Sequence, residues 1–580
     1  MDPRPPTRTA AWSAGERARL IAVARGDAEP DLVIAGARVF SVFTREWLEG
    51  DVAVAGGRIA GVGRHAGGER IEAGGRPLVP GLIDAHVHLE SSKLLPSEFA
   101  RVVVPRGTTT VVCDPHEIAN VLGVEGAHWL LDATDGLPLR VYVMASSCVP
   151  ASALESPQRA LGAAEMAGLL ERRRTIGVAE VMDFPAVIAG DPAVLAKVAL
   201  HEHVDGHAPG VTGRALDAYV AAGIHSDHEA TTWEEALEKR RRGLWVLIRE
   251  ASNARNLSAL LELVRRYGPE HCAFCTDDRE PDTLVREGHL DAMCRQAVAE
   301  GIAPEDALLM ATLHPARYHG LRDLGAIAPG YRADLVLLDS LERFDAALVV
   351  AGGRIAARAG EPLPLAAPEI PDWVSGTVRA APLEPGAFRL GPPAERVRVI
   401  DIAPGQLVTG AAEERPTVRD GRVVADPARD LAAIAVVERH HGTGRIGRGL
   451  VRGFGLRAGA FASTVAHDAH NIVVVGMDDA DMAACVARLA ELGGGIVVAR
   501  GGEVRGELPL PVAGLLSDLP AEAVVERMDA LTALLAGQGV EIPSPFMTLS
   551  FLALSVIPEL KVTDHGLVDV ERARVVPLAV

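Results

Sequence analysis

The residues able to do chemistry in this 580-residue chain are histidines and carboxylates held in a few short phrases. In Asp84-Ala-His86-Val-His88-Leu-Glu90 two histidines stand at i and i+2. On a β-strand that spacing turns both imidazoles to one face, where a single cation can take both. An isolated His-x-His fits a solvent-facing pair equally well. Histidines are also dense further on: of 19 in the chain, His201, His203, His207, His225 and His228 fall within 28 residues, from 201 to 228. His207 stands in Val204-Asp-Gly-His207-Ala-Pro and His228 in His225-Ser-Asp-His228-Glu229, whereas His201 and His203 read as helix-end or surface histidines. Asp277 follows Phe274-Cys-Thr. Imidazole and carboxylate donors without thiolate suit Fe²⁺, Mn²⁺ or Zn²⁺. A bound ion of this kind would lower the pKa of a coordinated water toward neutrality, which is hydrolytic chemistry.

Such residues need rigid positions. From Leu82 the pattern alternates strand, loop and helix, with candidate strands at Leu82–His88, Thr109–Cys113, Arg140–Ala145, Gly177–Val181, His203–His207, Gly223–Asp227, Leu244–Ile248 and Cys272–Thr276. Helix-length stretches such as Ala160–Thr175 and Trp233–Arg242 separate most of them. Eight units predict an α/β fold built on a (β/α)8 TIM barrel over residues 81–323, with its site at the C-terminal strand ends. The rival, a doubly wound sheet, has fewer strands and a Gly-rich first turn, and no G-x-G-x-x-G follows the first strand. On this reading His86 and His88 end strand one, His207 ends strand five, His228 follows strand six and Asp277 closes strand eight.

Residues 1–30 read as a helical segment, with an amphipathic helix over 8–26. Strand and Gly-turn patterning over 31–80 returns at 324–425, where Val349-Val-Ala-Gly-Gly-Arg-Ile-Ala echoes Val54-Ala-Gly-Gly-Arg-Ile-Ala. The two stretches are expected to form one discontinuous small β-sandwich interrupted by the barrel, followed by a stiff linker around Pro362, Pro364, Pro368 and Pro371. Residues 426–580 read as a C-terminal α/β domain. Its Gly493-Gly494-Gly495 fits a helix-ending turn better than a phosphate loop. His440, His441 and His467 are structural by default, or line the barrel mouth if this domain folds over it. Cys272-Ala-Phe-Cys275 lacks the second pair a zinc site needs, so buried thiols are expected.

The phrases around these residues are long. Pro80-Gly-Leu-Ile-Asp-Ala-His-Val-His-Leu-Glu-Ser-Ser, Gly107-Thr-Thr-Thr-Val-Val-Cys-Asp-Pro-His-Glu-Ile-Ala-Asn, Ala179-Glu-Val-Met-Asp-Phe-Pro, Asp205-Gly-His-Ala-Pro-Gly, Ser226-Asp-His-Glu and Cys275-Thr-Asp-Asp-Arg resemble the amidohydrolase superfamily and, within it, the adenine deaminase family. Ile542-Pro-Ser-Pro-Phe-Met-Thr-Leu-Ser-Phe resembles that family's additional C-terminal domain.

The resemblance implies purine salvage chemistry: hydrolytic deamination of adenine to hypoxanthine and ammonia at a binuclear Mn²⁺ or Fe²⁺ centre, with Zn²⁺ as the other option. It implies His86, His88, Glu180, His207, His228 and Asp277 as ligands, hydroxide attack on C6, and Asp277 as proton shuttle. Glu229 is the candidate second proton carrier or ring-nitrogen contact, with a plain helix N-terminal residue as its alternative. Glu90, Ser91, Ser92, His116, Glu117 and Asp278 are candidates for contact with the base. His228 is preferred to His225 because its phrase matches the family. His314 departs from an asparagine common there. Many amidohydrolases bridge their metals with a carboxylated lysine on strand four, yet the only lysines are Lys93, Lys197, Lys239 and Lys561. Glu180 stands at the required place, inside an apolar strand where a carboxylate must be paired or coordinated.

Composition bounds the rest. With 48% hydrophobic and 23% charged residues the chain is globular, and a net charge of −19 disfavours nucleic-acid polymers and anionic membranes as partners. Aromatic residues at 4% disfavour a base-stacking platform. Met1 to Pro30 has no signal-peptide core, which points to a cytoplasmic protein. A homo-oligomer, a dimer as a guess, is expected by resemblance. The competing readings are a cyclic-amide hydrolase of the dihydroorotase or hydantoinase kind, which would want the missing lysine, and a non-catalytic metal-binding scaffold. The His-x-Glu and Pro-Cys-x-x-Cys signature of cytidine-type zinc deaminases is absent.

Overall fold

The computed structural model describes residues 12–365, 369–403 and 405–580. Parallel strands carry the histidine phrases: Leu82–Val87 (β1), Thr108–Cys113 (β2), Arg140–Ala145 (β3), Thr175–Val181 (β4), Val204–Gly206 (β5), Ser226–Asp227 (β6), Trp245–Arg249 (β7) and Cys272–Cys275 (β8). They are buried almost throughout, as expected for parallel strands covered on both faces. Strands β1 to β5 pair in sequence into one curled sheet, and β6 to β8 into a second. Two seams separate the sheets. At one, the Asp277 N–H donates to the His86 carbonyl at 3.0 Å, and the Thr276 N–H donates to Asp84 Oδ1 at 3.1 Å. At the other, the His225 N–H donates to the Val204 carbonyl at 3.0 Å, and the Gly206 N–H donates to Ser226 Oγ at 3.1 Å.

The strands before and after this region join in one nine-stranded sheet, where the sequence suggested a two-sheet sandwich. Strand Pro77–Pro80 lies between Leu32–Ser41 and Leu335–Leu338, so the chain leaves the sheet and returns to it through neighbouring strands. The period of two divides the side chains between two cores. Leu78, Leu335 and Val350 pack with Ile34 and Val52, whereas Val79, Val336 and Val349 face the core shared with the parallel strands. The N-terminal helix is Ala14–Arg25, opened by a Ser13–Glu16 capping box and ended by Gly26 at φ +82°. Residues 8–11 of the expected helix lie outside the described residues.

The second large sheet has eight strands: Thr409–Glu414, Val397–Ile402, Ile446–Arg452, Leu431–Val437, Ile472–Gly476, Ala460–Ser463, Gly495–Arg500 and Glu503–Pro509, in that spatial order. Val397–Ile402 and Thr409–Glu414 were expected with the first β unit, but Val397–Ile402 pairs with Ile446–Arg452. By strand pairing the change of unit therefore falls before Val397, not near Asp426. Helix Asp479–Leu492 covers one face with Met482, Cys485, Val486 and Leu489, and ends at Gly493 in the left-handed region. Gly494 approaches Gly514 too closely for any side chain, so the glycine triplet is a packing turn. The other face, through Ile434, Val436, Val473 and Val475, joins the core that also holds Val87 and Leu94. The C-terminal unit is thus packed directly onto the parallel strands. No helix among the described residues is long and apolar enough to cross a membrane.

Gly206 ends β5 one residue before His207, where an added Cβ would collide with the Ser226 carbonyl oxygen and lie 2.7 Å from Ile224 Cγ2. Gly206→Ala should lower stability by about 1–3 kcal/mol through overpacking. A urea or thermal unfolding midpoint equal to that of wild type would contradict this packing.

Candidate active site

The histidine-bearing phrases converge. His86 and His88 project from the end of β1, and their Nε2 atoms lie 3.1 Å apart. Glu180, near the end of β4, faces both histidine sets with a different oxygen for each. Its Oε1 is 3.6 Å from His86 Nε2 and 3.2 Å from His88 Nε2. Its Oε2 is 2.8 Å from His207 Nδ1 and 3.3 Å from His228 Nε2. Asp277, just past β8, closes the ring, with Oδ1 3.4 Å from His86 Nε2 and 3.1 Å from His88 Nε2. All six side chains are buried.

This donor set fits divalent cations. Ring nitrogens facing one another and two carboxylates at such distances, inside a core, need shared protons or a metal to satisfy their lone pairs. The triads His86–His88–Asp277 and His86–Glu180–His228 each bring one ligand atom per residue within 4.8 Å. His88 donates from Nδ1 to the Asp114 carbonyl at 3.1 Å, which leaves Nε2 as the ligand atom, the arrangement expected around a metal-binding histidine. The electrostatics agree. Burial alone would raise the Glu180 carboxyl, but the facing His228 and His207 hold it well below the usual range. Asp277 is held low in the same way, against its burial, by His86, His88 and Arg249. Burial disfavours the charge on His228, yet Glu180 outweighs it and pushes the imidazole up to about 9.

The surrounding charges set the ligands' positions. Asp227 on β6 accepts the Ala208 N–H at 2.9 Å, the Glu229 N–H at 3.1 Å and the Ala230 N–H at 3.0 Å. Buried Lys239 donates to Asp227 at 2.8 Å and to the Ala208 carbonyl at 2.7 Å. The loops bearing His207 and His228 are therefore clamped to one carboxylate. Arg249, at the end of β7, donates to Asp277 Oδ2 at 3.1 Å and grips both oxygens of Glu229. None of the four lysines lines the cleft: Lys93 pairs with Glu280, Lys197 with the Ser147 carbonyl and Lys561 with the Leu407 carbonyl.

The remaining sequence candidates divide. Glu229 is buried in the cleft and paired with Arg249. It precedes helix Trp233–Arg241 by several residues, so the helix N-terminal alternative falls. His116 lines the cleft, with Nδ1 2.9 Å from Asp114 Oδ2 and 3.6 Å from Glu180 Oε1. Ser91 donates to Glu117 Oε1 at 2.8 Å and contacts Asp278. Glu90 and Ser92 turn to backbone instead, Glu90 accepting the Ile118 N–H at 3.1 Å and Ser92 donating to the Leu89 carbonyl at 2.6 Å. Within the short 3₁₀ turn Leu89–Ser92 the Glu90 carboxyl is pushed up to about 8 by burial and by the nearby Glu117. His225 is exposed and outside the cluster, which leaves His228 as the strand-six histidine. His203 is buried against His319 and Tyr318, not at the surface. His314 donates to or accepts at no cleft residue and lies 3.0 Å from the Cys272 carbonyl. Cys272 and Cys275 are buried free thiols.

Arg249 and Asp468 escaped the sequence reading, whereas His467 lines the cleft as its alternative reading allowed. Arg249 could have been found by the rule that exposed Glu180: a charge closing an apolar strand needs a buried partner. His467 and Asp468 come from the C-terminal unit, Asp468 Oδ1 lying 3.6 Å from His116 Nε2 and His467 Nδ1 3.2 Å from Glu117 Oε1. With them Leu407, Phe551, Leu554 and Ile557 form an apolar roof over the cleft.

Comparison with known proteins agrees with this geometry. The amidohydrolase family profile matches residues 78–356, and the profile of the adenine deaminase C-terminal domain matches residues 406–574. The parallel-strand region thus has the amidohydrolase-family fold. An adenine deaminase of Archaeoglobus fulgidus is 49% identical over 566 residues, covering 97% of each chain. One from a Methylobacterium species is 48% identical, covering 97% of this chain and 100% of that one. Another from Desulfatibacillum aliphaticivorans is 46% identical over 95% and 98% of the respective chains. With both catalytic and C-terminal regions matched over nearly the full length, the chain belongs to the adenine deaminase family of amidohydrolases.

Proposed function

We propose that this chain hydrolyses adenine to hypoxanthine and ammonia in the cleft around Glu180. The observation that carries the reading is the division of Glu180's oxygens, Oε1 toward His86 and His88 and Oε2 toward His207 and His228. A carboxylate so placed would serve two cations, and relatives that match the chain over nearly its full length are named adenine deaminases. The hydrogen bonds across both seams support reading the two parallel sheets as one closed (β/α)8 barrel. They also support a division into a split β unit, that barrel and a C-terminal unit.

His86, His88, Glu180, His207, His228 and Asp277 would hold two divalent ions, and their nitrogen and oxygen donors suit Mn²⁺ or Fe²⁺. When bound, such a pair supplies Lewis acidity that makes water a nucleophile near neutral pH. The chain's own groups do the rest. Water oxygen adds to C6 of adenine as one water proton reaches N1, and the bond from C6 to the amine then breaks as the second proton passes to the departing nitrogen, giving ammonia and the C6 carbonyl. Asp277 is the carrier, because Arg249 anchors its Oδ2 while Oδ1 faces the histidines. Glu229, gripped by Arg249 at both oxygens, keeps that guanidinium aimed and acts as a positioning residue. Asp278, held by Ser91, which also donates to Glu117, offers a polar edge for the base, and Leu407 and Phe551 line the cleft with apolar surface.

With Mn²⁺-loaded protein, adenine should release ammonia with the ultraviolet change of hypoxanthine formation, whereas dihydroorotate stays intact. Hydrolysis of the cyclic amide with adenine untouched would overturn the reading. Glu180→Ala should lose bound metal and activity together, measured by elemental analysis and ammonia release. Full metal content with a normal rate would remove Glu180 from the bridge. Asp277→Asn should remain folded with kcat lowered by roughly 10²-fold or more. A near-normal kcat would remove Asp277 from proton transfer.

A further inference from the structure

Outside the proposed ligand set, a buried polar cluster joins the first helix after β2, His116–Leu122, to a loop of the C-terminal unit. Glu117, His467 and His470 bring ligand atoms within 4.8 Å of one another, which invites a further metal site. The hydrogen bonding argues against one. The Ala466 N–H donates to His470 Nδ1 at 3.1 Å, so a neutral His470 carries its proton on Nε2 and has no lone pair for a cation there. That Nε2 lies 4.0 Å from Glu117 Oε2. The three side chains pack together without a hydrogen bond from His470 to Glu117, and His467 is the one that reaches the cleft.

His467 is fixed on every side but one. Its ring stacks on Phe551 at a centroid distance of 4.4 Å and an interplanar angle of 10°. Its Nδ1 faces Glu117 Oε1 at 3.2 Å and Asp468 Oδ1 at 3.6 Å. The loop is pinned by the His440 Nε2–H, which donates to the Ala469 carbonyl at 2.7 Å, and by Asn471, which accepts the Arg439 N–H at 3.1 Å. What remains is Nε2, buried and without a partner, on a side chain that lines the cleft. A fixed, buried nitrogen left unpaired in a binding cleft is a group waiting for a ligand atom.

We propose that His467 contacts the substrate, donating a hydrogen bond from Nε2 to a ring nitrogen of the purine away from the reacting edge, N3 or N7. This rests on the reading of the site as an adenine deaminase cleft. The donor sense follows from the two carboxylates at Nδ1, which favour the charged ring. Burial opposes that charge, but Glu117 and Asp278 outweigh it and push the imidazole up to about 9. The C-terminal unit then contributes directly to recognition of the base and does more than cover the cleft.

The test uses full-length Mn²⁺-loaded protein with adenine, 3-deazaadenine and 7-deazaadenine. Wild type should lose roughly 10- to 100-fold in kcat/KM on one of the two analogues, the scale of a hydrogen bond to a charged group. His467→Ala should lose about as much on adenine and show no further loss on that analogue, with metal content unchanged. Should His467→Ala fail to fold, His467→Phe keeps the stack on Phe551 and removes both nitrogens, and the same pattern is expected of it. Variants that discriminate between adenine and its analogues as wild type does would overturn the inference, as would wild type that turns over all three bases alike. Failure of wild type to deaminate adenine at all would instead sink the underlying reading of the site.

Discussion

The cleft is arranged around one carboxylate ringed by imidazoles. Glu180 would be untenable in an apolar strand without compensation, since a buried ionised carboxylate costs several kcal/mol unless it is paired or coordinated. Here its Oε1 faces His86, His88 and His116, and its Oε2 faces His207 and His228 from the loops after β5 and β6. Those histidines converge only because three separate chain segments end at one face of the fold. A parallel-stranded scaffold achieves that by ending each strand at the same face.

The scaffold does not act alone. Two buried ion pairs of opposite sense stand behind the ligands. Lys239 with Asp227 ties down the His207 and His228 loops, and Arg249 ties Asp277 to Glu229. Removing one partner from such a pair leaves a stranded charge, which makes these contacts sensitive guards of geometry. A third layer comes from the C-terminal sheet. The packing of Ile434 and Val473 into the common core brings a distant loop, with His467 and Asp468, against His116 and Glu117.

Much of this was legible in the sequence wherever the cause is local. His86 and His88 declare themselves through the two-residue period of a strand. Glu180 does so through an acid in an apolar run and the absence of any lysine between Lys93 and Lys197. The eight parallel strands were found to within a few residues, because apolar runs bounded by Gly and polar turns are a short-range signal. What failed depends on tertiary placement. Val397–Ile402 reads as a strand whichever sheet it joins, so its pairing with Ile446–Arg452 had no local mark. His203 looked like a surface residue beside Glu202, yet it packs on Tyr318 and His319 from far along the chain. Glu90, Ser91 and Ser92 lie in the right phrase, but none of them lines the cleft, and within their short helical turn it is Ser91 that bonds a cleft residue, Asp278.

The central claim, that Glu180 is shared by two metal ions, is tested most directly by anomalous diffraction at the manganese edge from crystals of Mn²⁺-loaded protein. Two anomalous peaks are predicted. One should sit among Glu180 Oε1, His86 and His88, and the other among Glu180 Oε2, His207 and His228. A single peak, or two peaks with Glu180 outside the coordination of either, would contradict the account.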